Sequence, residues 1–271
     1  MEFAPALPRL SIITVCLNAE QTLQRTLDSI ADQTYGHIEL ILCDGGSTDG
    51  TESVFRAWQN SIAENMELSS KFSCIYWLTQ QSKGIYAAMN EASAIATGDV
   101  VTFLHANDFF AHPEVCALAQ VSLKYNTNLH AVYGDVRVDA DKWLDRRFIA
   151  AKFWQPWMLQ WGFMSPQPGS FFRATAFRAV GPFLESMQIG ADYEWLLRFH
   201  YSKKFKSQWV KGIQVNMLSG GISMRGKDSR TVITQEIQES LRLHGFSVSP
   251  WQLWFRFPIK ALGIIRAFWR R

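Results

Sequence analysis

A strict alternation of strand-like and helix-like segments in the first hundred residues constrains the fold more than any other feature. Apolar, β-branched runs predict strands at 10–16, 38–43, 73–78 and 100–104. An amphipathic helix is predicted at 19–33, and further helices at 51–60 and 84–96. This order predicts parallel strands joined by right-handed helical crossovers. Because such sheets bind ligands at the carboxyl ends of their strands, the segments 14–18, 44–50 and 105–110 are candidate ligand loops.

The pattern loosens after residue 110 but continues to predict both element types. Helices are predicted at 113–125, 191–201 and 228–243, and strands at 130–136, 170–173 and 207–217. The stretch 153–169 is rich in Trp, Pro and Gly and is expected to be irregular. Since neither an internal repeat nor a flexible linker is evident, we expect one compact unit.

Composition excludes several classes of protein. Apolar residues make up 48% of the 271 and charged residues 19%, which is typical of a globular chain. The net charge of +3 gives no basis for nucleic-acid binding. Four scattered cysteines without CxxC spacing argue against a disulfide scaffold or a zinc site. With neither a signal sequence nor a membrane-spanning run expected, we predict a cytoplasmic protein.

A glycine-rich turn follows the second predicted strand, with the sequence DGGSTDGT at 44–51. Glycines let the backbone approach a ligand, and Asp44 can accept hydrogen bonds from a ribose or a base. The alternative is an ordinary strand–turn–helix connection in which Asp49 caps the helix. Neither GxGxxG nor GxxxxGK[ST] is present, which disfavours dinucleotide oxidoreductases and P-loop enzymes.

Two further carboxylates lie where chemistry could use them. Asp108, in the strand-end sequence HAND, could ligate a hard divalent cation that neutralises a diphosphate, and the alternative is a turn residue. Asp192 opens a predicted helix and could act as a general base toward a hydroxyl. Its alternative is helix capping, with Glu194 in the first turn.

Taken together, these segments resemble the family 2 glycosyltransferases of the GT-A fold, in particular bacterial members that build surface polysaccharides. The matching segments are 14–18, 33–34, 44–51, 83–90, 97–99, 105–108, 133–135, 167 with 171–173, 191–194 and 220–223. The resemblance covers roughly residues 9–225. It implies a Rossmann-like, mostly parallel central sheet flanked by helices, which the C-terminal sequence extends with amphipathic helices.

The resemblance implies an inverting transfer of a sugar from a nucleotide donor, usually a UDP-sugar, to a glycan or lipid-linked glycan. The residues it assigns to the nucleotide and donor are Thr14, Val15, Asn18, Asp44, Lys83, Gly84 and Asn107. Asp108 would ligate Mn²⁺ or Mg²⁺, and Asp192 would deprotonate the acceptor hydroxyl. The nucleotide-binding half would be about 1–110 and the acceptor half about 111–225.

Other residues are candidates for the acceptor side. Asp135, Gln167, Tyr193 and Glu194 are expected at the acceptor site, although a structural role at the sheet end is an alternative for Asp135. Arg225 and Lys227 could close over a diphosphate as a lid, or could simply lie in a solvated loop. Trp154, Trp157 and Trp161 could stack on sugar rings, pack in the core or contact a membrane.

The sequence departs from the family at several positions. His105 stands where the family often has Asn or Asp, and Asn107 where it often has Asp. Ser82 and Ala87 stand where many relatives have Asp. These departures leave the donor sugar and the strength of metal binding open. They also suggest a second hypothesis, a catalytically silent module that binds a nucleotide or glycan. A third, a sugar nucleotidyltransferase, lacks its usual basic glycine-rich loop here.

The region 226–271 is expected to be helical, and its last part is strongly basic. Residues 251–271 carry five Lys and Arg and no acid, and on a helical wheel these cations lie opposite a row of aromatic and aliphatic residues. This arrangement favours an anionic membrane surface, which predicts a peripheral protein on the inner face of the cell membrane. The alternative is a terminal helix that docks on the catalytic domain.

Overall fold

A single nine-stranded sheet runs through the computed structural model, which describes residues 8–139, 147–218 and 226–254. The strands are β1 Leu10–Cys16, β2 Ile38–Asp44, β3 Phe72–Thr79, β4 Val100–Phe103, β5 Asp108–Phe110, β6 Ala131–Asp139, β7 Arg147–Ile149, β8 Ser170–Arg173 and β9 Ser207–Leu218. The helices are α1 Leu23–Ala31, α2 Thr51–Glu64, α3 Met66–Ser69, α4 Ile85–Ile95, α5 Val115–Tyr125, α6 Ala174–Val180, α7 Ala191–Leu197, α8 Gly226–Leu243 and α9 Pro250–Trp254.

The first four strands form the parallel part of the sheet, in the order β3-β2-β1-β4. Cys16 is in register with Asp44, and Ile13 with Phe103. The alternation of strands and helices predicted from the sequence is therefore confirmed. Because the registers of β1 with β2 and of β1 with β4 are continuous, the carboxyl ends of these three strands emerge at one edge, where they can build a common site.

Beyond β4 the sheet contains both antiparallel and parallel strand pairs. Strand β8 is antiparallel to β4 and β6, β9 is parallel to β6, and β5 closes the order by pairing antiparallel with β9. Strand β5 was not predicted because three residues carry too little periodicity to identify a strand. Its pairing with β9 connects the end of β4 to the second half of the chain.

Both faces of the sheet are buried. On one face, α1, α2 and α5 cover the even-numbered residues of β1. On the other face, the core includes the aromatic residues Trp195 and Phe199 together with Ile237 and Leu241 of α8. Helix α8 is thus part of the same core as the residues that precede it. The helix predicted over 191–201 ends at Leu197 and continues as a π-helical turn.

The Trp-rich stretch contains two short 3-10 turns, Ala151–Phe153 and Pro156–Trp161. Trp154 is buried against Tyr133 and His200, so core packing decides its role. Trp157 and Trp161 are exposed. Within the described residues, no helix combines the length and the apolar character needed to cross a bilayer.

Candidate active site

The glycine-rich turn after β2 is organised around Asp44. One carboxylate oxygen accepts the backbone N–H groups of Gly46 and Ser47 at 3.1 and 2.9 Å, and the other accepts the Ser47 hydroxyl at 2.5 Å. The Cys16 thiol donates to the same carboxylate at 3.5 Å, and burial followed by the Asp44 charge raises the pKa of that thiol. Asp44 therefore shapes the turn that would receive a nucleotide.

Asn18 joins the loop after β1 to this turn. Its backbone N–H donates to the Ser47 hydroxyl at 2.8 Å, and its side-chain oxygen accepts the N–H of Thr48 at 2.9 Å. The left-handed backbone at Asn18, with φ of 50°, suits an asparagine. Thr14 and Val15 are buried in the sheet, so of the three predicted residues only Asn18 has an exposed side chain.

Asp49 is not the N-cap of α2, which is Gly50, but lies one residue before it. Its carboxylate accepts the N–H of Thr51, the first residue of α2, at 3.0 Å. The glycine-rich segment thus both forms a strand–helix connection and leaves an exposed turn. The two interpretations of the motif are compatible, because different carboxylates serve them.

Gln80, which the sequence interpretation missed, connects the Asp44 turn to α4. Its backbone N–H donates to the Asp44 carbonyl at 2.8 Å, and its side-chain amide donates to the Gly84 carbonyl at 2.7 Å. Gly84 has φ of 104°, which strongly favours glycine, and Lys83 beside it is exposed. The rule that strand ends carry function could have found Gln80, because it directly follows β3.

Asp108 lies at the start of β5 and is only 3% exposed. Burial raises its pKa to about 7, against a hydrogen bond from the His105 backbone that lowers it. Asn107 is half-buried, and its carbonyl accepts the N–H of Leu218 at the end of β9. His105, beside Gln167, is neutral because burial lowers its pKa to about 4.

A divalent cation would find few protein ligands here. Among the described residues, no three His, Cys, Asp or Glu side chains cluster as a metal site. The donors available at this strand end are the Asp108 carboxylate and the Asn107 amide. Mg²⁺ is commonly held by one or two carboxylates together with substrate phosphates, so these residues fit a cation that also binds a diphosphate.

Asp192 stands in the first turn of α7, where its carboxylate accepts its neighbour's backbone N–H, that of Tyr193, at 2.8 Å. Burial raises the pKa of Asp192 to about 6, and the charge of Glu236 adds to this, while hydrogen bonds from Tyr193 and Tyr86 lower it. The Tyr86 hydroxyl also donates to the carbonyl of Ile189. Through α4, therefore, the loop at Gly84 is connected to Asp192.

Tyr193 and Glu194 are buried in the core beside Asp192, which disfavours the prediction that they bind the acceptor. The Tyr193 hydroxyl donates to the Leu159 carbonyl inside the core. Glu194 is buried and pairs with Arg198 at 2.8 Å and His244 at 3.0 Å. The reason is helical geometry, since successive residues of α7 turn away from Asp192 into the core.

The remaining predicted residues are placed as follows. Asp135 accepts the N–H of Ala151 at 2.8 Å and the indole N–H of Trp209 at 3.0 Å, so its carboxylate supports the sheet end. This matches the structural alternative for Asp135. Arg225 lies outside the described residues, and so does the side chain of Lys227, although its backbone is the second residue of α8.

Comparison with known families decides the identity. The family described as Glycosyl transferase family 2 matches residues 11–213. The chain belongs to this family. This family 2 glycosyltransferase is 32% identical over 201 residues to the uncharacterized glycosyltransferase Rv1514c of Mycobacterium tuberculosis, covering 70% of this chain and 68% of that one. A PGL/p-HBAD biosynthesis glycosyltransferase of Mycobacterium bovis is 30% identical over 204 residues, covering 71% and 70%.

Solved structures show the same GT-A fold. A mannosyltransferase from Pyrobaculum calidifontis, in complex with GDP-Man and Mn²⁺, has a TM-score of 0.65 and 16% identity, covering 98% of this glycosyltransferase and 77% of that chain. TarS from S. aureus, in complex with UDP-GlcNAc, has a TM-score of 0.65 and 15% identity, covering 87% and 65%. The protein thus spans slightly less than two thirds of that TarS chain.

Proposed function

We propose that this glycosyltransferase is inverting and metal-dependent, and moves a sugar from a UDP-sugar to a glycan or lipid-linked glycan. The observation that carries the proposal is the connection of Asp192, a half-buried carboxylate of raised pKa, to the Asp44 turn through α4 and Gln80. A relative supports the substrate class: an E. coli enzyme, 27% identical over 140 residues, is named as a UDP-Glc:alpha-D-GlcNAc-diphosphoundecaprenol glucosyltransferase.

In this mechanism the nucleotide lies against the Asn18 and Asp44 loops, with its diphosphate toward Lys83 and the start of α4. The backbone N–H groups of a helix N-terminus and a nearby lysine favour an anion. Asp108 and Asn107 would hold a divalent cation with the diphosphate, and such a cation neutralises charge on a leaving phosphate. Residues 1–110 would therefore serve the donor and 111–225 the acceptor.

Asp192 acts as the general base. Its carboxylate removes the proton from the acceptor hydroxyl, the hydroxyl oxygen bonds to the anomeric carbon, and the bond from that carbon to the phosphate oxygen breaks. Attack opposite the leaving group inverts the anomeric centre. A pKa of about 6 keeps most of this carboxylate deprotonated near neutral pH and still basic enough to accept a proton.

The test is a panel of nucleotide sugars with and without Mn²⁺, in which release of nucleoside diphosphate is measured in the presence of candidate acceptors. We expect Asp192→Asn to lower transfer by roughly 10²–10⁴-fold while UDP binding is retained. The matched control is Asp32→Asn, an exposed acid on the surface. Transfer near the wild-type rate in Asp192→Asn would remove Asp192 as the base.

The second candidate, a silent binding module, is favoured by the neutral His105 and Asn107 at the strand end. Isothermal titration with UDP separates the two. Binding of UDP without turnover of any donor in the panel would support the module.

We further propose that residues 251–271 bind an anionic membrane surface, which would place the enzyme at the inner face of the cell membrane. Trp251 at the start of α9 is 74% exposed, and five cations lie between 256 and 271. Helix α9 is also joined to the protein body, because Leu253 is buried and the Gln252 amide donates to the Gln160 carbonyl at 2.9 Å. Docking on the protein body therefore describes the beginning of this region, and our proposal of lipid contact concerns the cations beyond residue 254.

Vesicle sedimentation tests this second proposal. We expect the full chain to sediment with vesicles containing phosphatidylglycerol and not with phosphatidylcholine vesicles, because the interaction is electrostatic. A chain ending at residue 254 keeps α9 and lacks the cations. If the shortened chain sediments as well as the full chain, the basic segment is not the membrane-binding element.

A further inference from the structure

The loop that leads into α7 is held by a carboxylate from α8. Glu236 is 9% exposed, and its two oxygens accept three consecutive backbone N–H groups. The distances are 2.6 Å to Gln188, 3.0 Å to Ile189 and 2.7 Å to Gly190. Hydrogen bonds to an ionised acceptor are roughly twice as strong as neutral ones. One side chain therefore fixes the three residues just before the first turn of α7.

The fit between Glu236 and this loop is close. A Cβ atom added at Gly190 would lie 3.0 Å from the Glu236 Cβ and 3.1 Å from its Oε2. A glycine at this position thus lets the carboxylate reach the backbone. From the opposite side, the Tyr86 hydroxyl donates to the Ile189 carbonyl. Glu236 of α8 therefore accepts hydrogen bonds from the backbone N–H groups of the loop, and Tyr86 of α4 donates one to a carbonyl of the same loop.

Helix α8 also contacts α7 further along. His244, just after α8, pairs with Glu194 at 3.0 Å, and Ile237 and Leu241 are buried in the shared core. Residue 236 lies beyond the segment 11–213 that the family matches. The contact is therefore made by a part of this chain that the family resemblance does not describe.

We propose that Glu236 is a positioning residue for the base, holding the entry of α7 so that the Asp192 carboxyl is presented to the acceptor hydroxyl. The inference rests on the proposed function, in which Asp192 is the base. Within the part of the chain that the structure describes, the titratable side chains that influence Asp192 are Tyr86 from α4 and Glu236 from α8, and the Glu236 charge raises the pKa of Asp192.

The experiment compares Glu236→Gln with Glu239→Gln, an exposed acid on the same helix. The glutamine has one acceptor oxygen and no charge, so the loop shifts and the base loses a negative neighbour. We expect kcat to fall roughly 10–100-fold with the donor KM unchanged. We also expect the acidic limb of the kcat/KM profile to move to lower pH, because the Glu236 charge raises the pKa of Asp192. Glu239→Gln should match the wild type in kcat, in donor KM and in the acidic limb of the kcat/KM profile.

A double variant separates positioning from general destabilisation. Glu236→Gln added to Asp192→Asn should cause no further loss of transfer, because the group being positioned is already gone. An activity loss that simply adds to that of Asp192→Asn would overturn the inference.

The outcomes also distinguish this inference from the proposed function. If Asp192→Asn is fully active, the proposed function itself fails. If Asp192→Asn is inactive while Glu236→Gln matches Glu239→Gln in kcat and acidic limb, only the positioning role is refuted.

Should Glu236→Gln not fold, as judged by circular dichroism, Gly190→Ala tests the same contact from the loop. Its control is Gly36→Ala, where the added Cβ would meet its nearest neighbour only at 3.9 Å. A lowered kcat with unchanged donor KM in Gly190→Ala supports the inference, and a wild-type kcat overturns it.

Discussion

Asp192→Asn should stabilise the fold while it removes activity. Burial and the Glu236 charge raise the pKa of Asp192 from 3.8 to about 6, so ionisation of this carboxyl opposes folding. A rise of about two pH units corresponds to up to about 3 kcal/mol at a pH above both pKa values. Asparagine is neutral and can still accept the Tyr193 N–H. The variant therefore removes this cost near pH 8 and leaves a local hydrogen bond in place.

The sign of the effect fixes its pH dependence. The folded protein holds its proton more tightly than the unfolded chain, so the wild type loses stability as pH rises from about 4 through about 6. Asp192→Asn should lack this loss. Its advantage in the free energy of unfolding should be largest at pH 7–8 and should vanish near pH 4.

Thermal and urea unfolding at several pH values measure this difference. For a chain of this size, we expect Tm to be roughly 5–10 °C above that of the wild type near pH 8. Asp32→Asn, at an exposed site, should show no such pH-dependent gain. If Asp192→Asn is equally or less stable than the wild type at pH 8, the carboxylate is not destabilised by its surroundings, and the argument for a base of raised pKa is refuted.

Three other substitutions test separate parts of the structure. Glu194→Gln should lower the free energy of unfolding by about 3 kcal/mol, because Arg198 would keep its charge without a buried partner. If the variant is instead as stable as the wild type and has a raised acceptor KM, Glu194 binds the acceptor. Asp44→Asn should weaken UDP binding by about tenfold in isothermal titration, through loosening of the turn it organises, and an unchanged Kd would contradict this. Asp108→Asn should raise the Mn²⁺ concentration needed for tight UDP binding, and an unchanged Mn²⁺ dependence would exclude Asp108 as a ligand.

Local sequence patterns are sufficient to predict the strands and helices of the parallel half of the sheet. The apolar run of β1 and the helical pattern of α4 are each complete within about ten residues, and the burial of these elements follows from them. The composition of the glycine-rich turn at 44–51 likewise predicts a tight connection between strand and helix. For these elements the decisive interactions are close along the chain, so the sequence alone indicated where a nucleotide could bind.

The surroundings of Asp192 could not be predicted from the sequence and depend on the tertiary structure. The sequence predicts Asp192 at the start of a helix, but no local pattern predicts that the side chains of Tyr193 and Glu194 are buried in the core. Glu236 reaches Gly190 across 46 residues of chain, and His244 reaches Glu194 across 50. Such contacts depend on how α8 packs against α7. Since hydrogen bonds between distant segments have no local periodicity, the charge environment of Asp192 emerges only from tertiary packing.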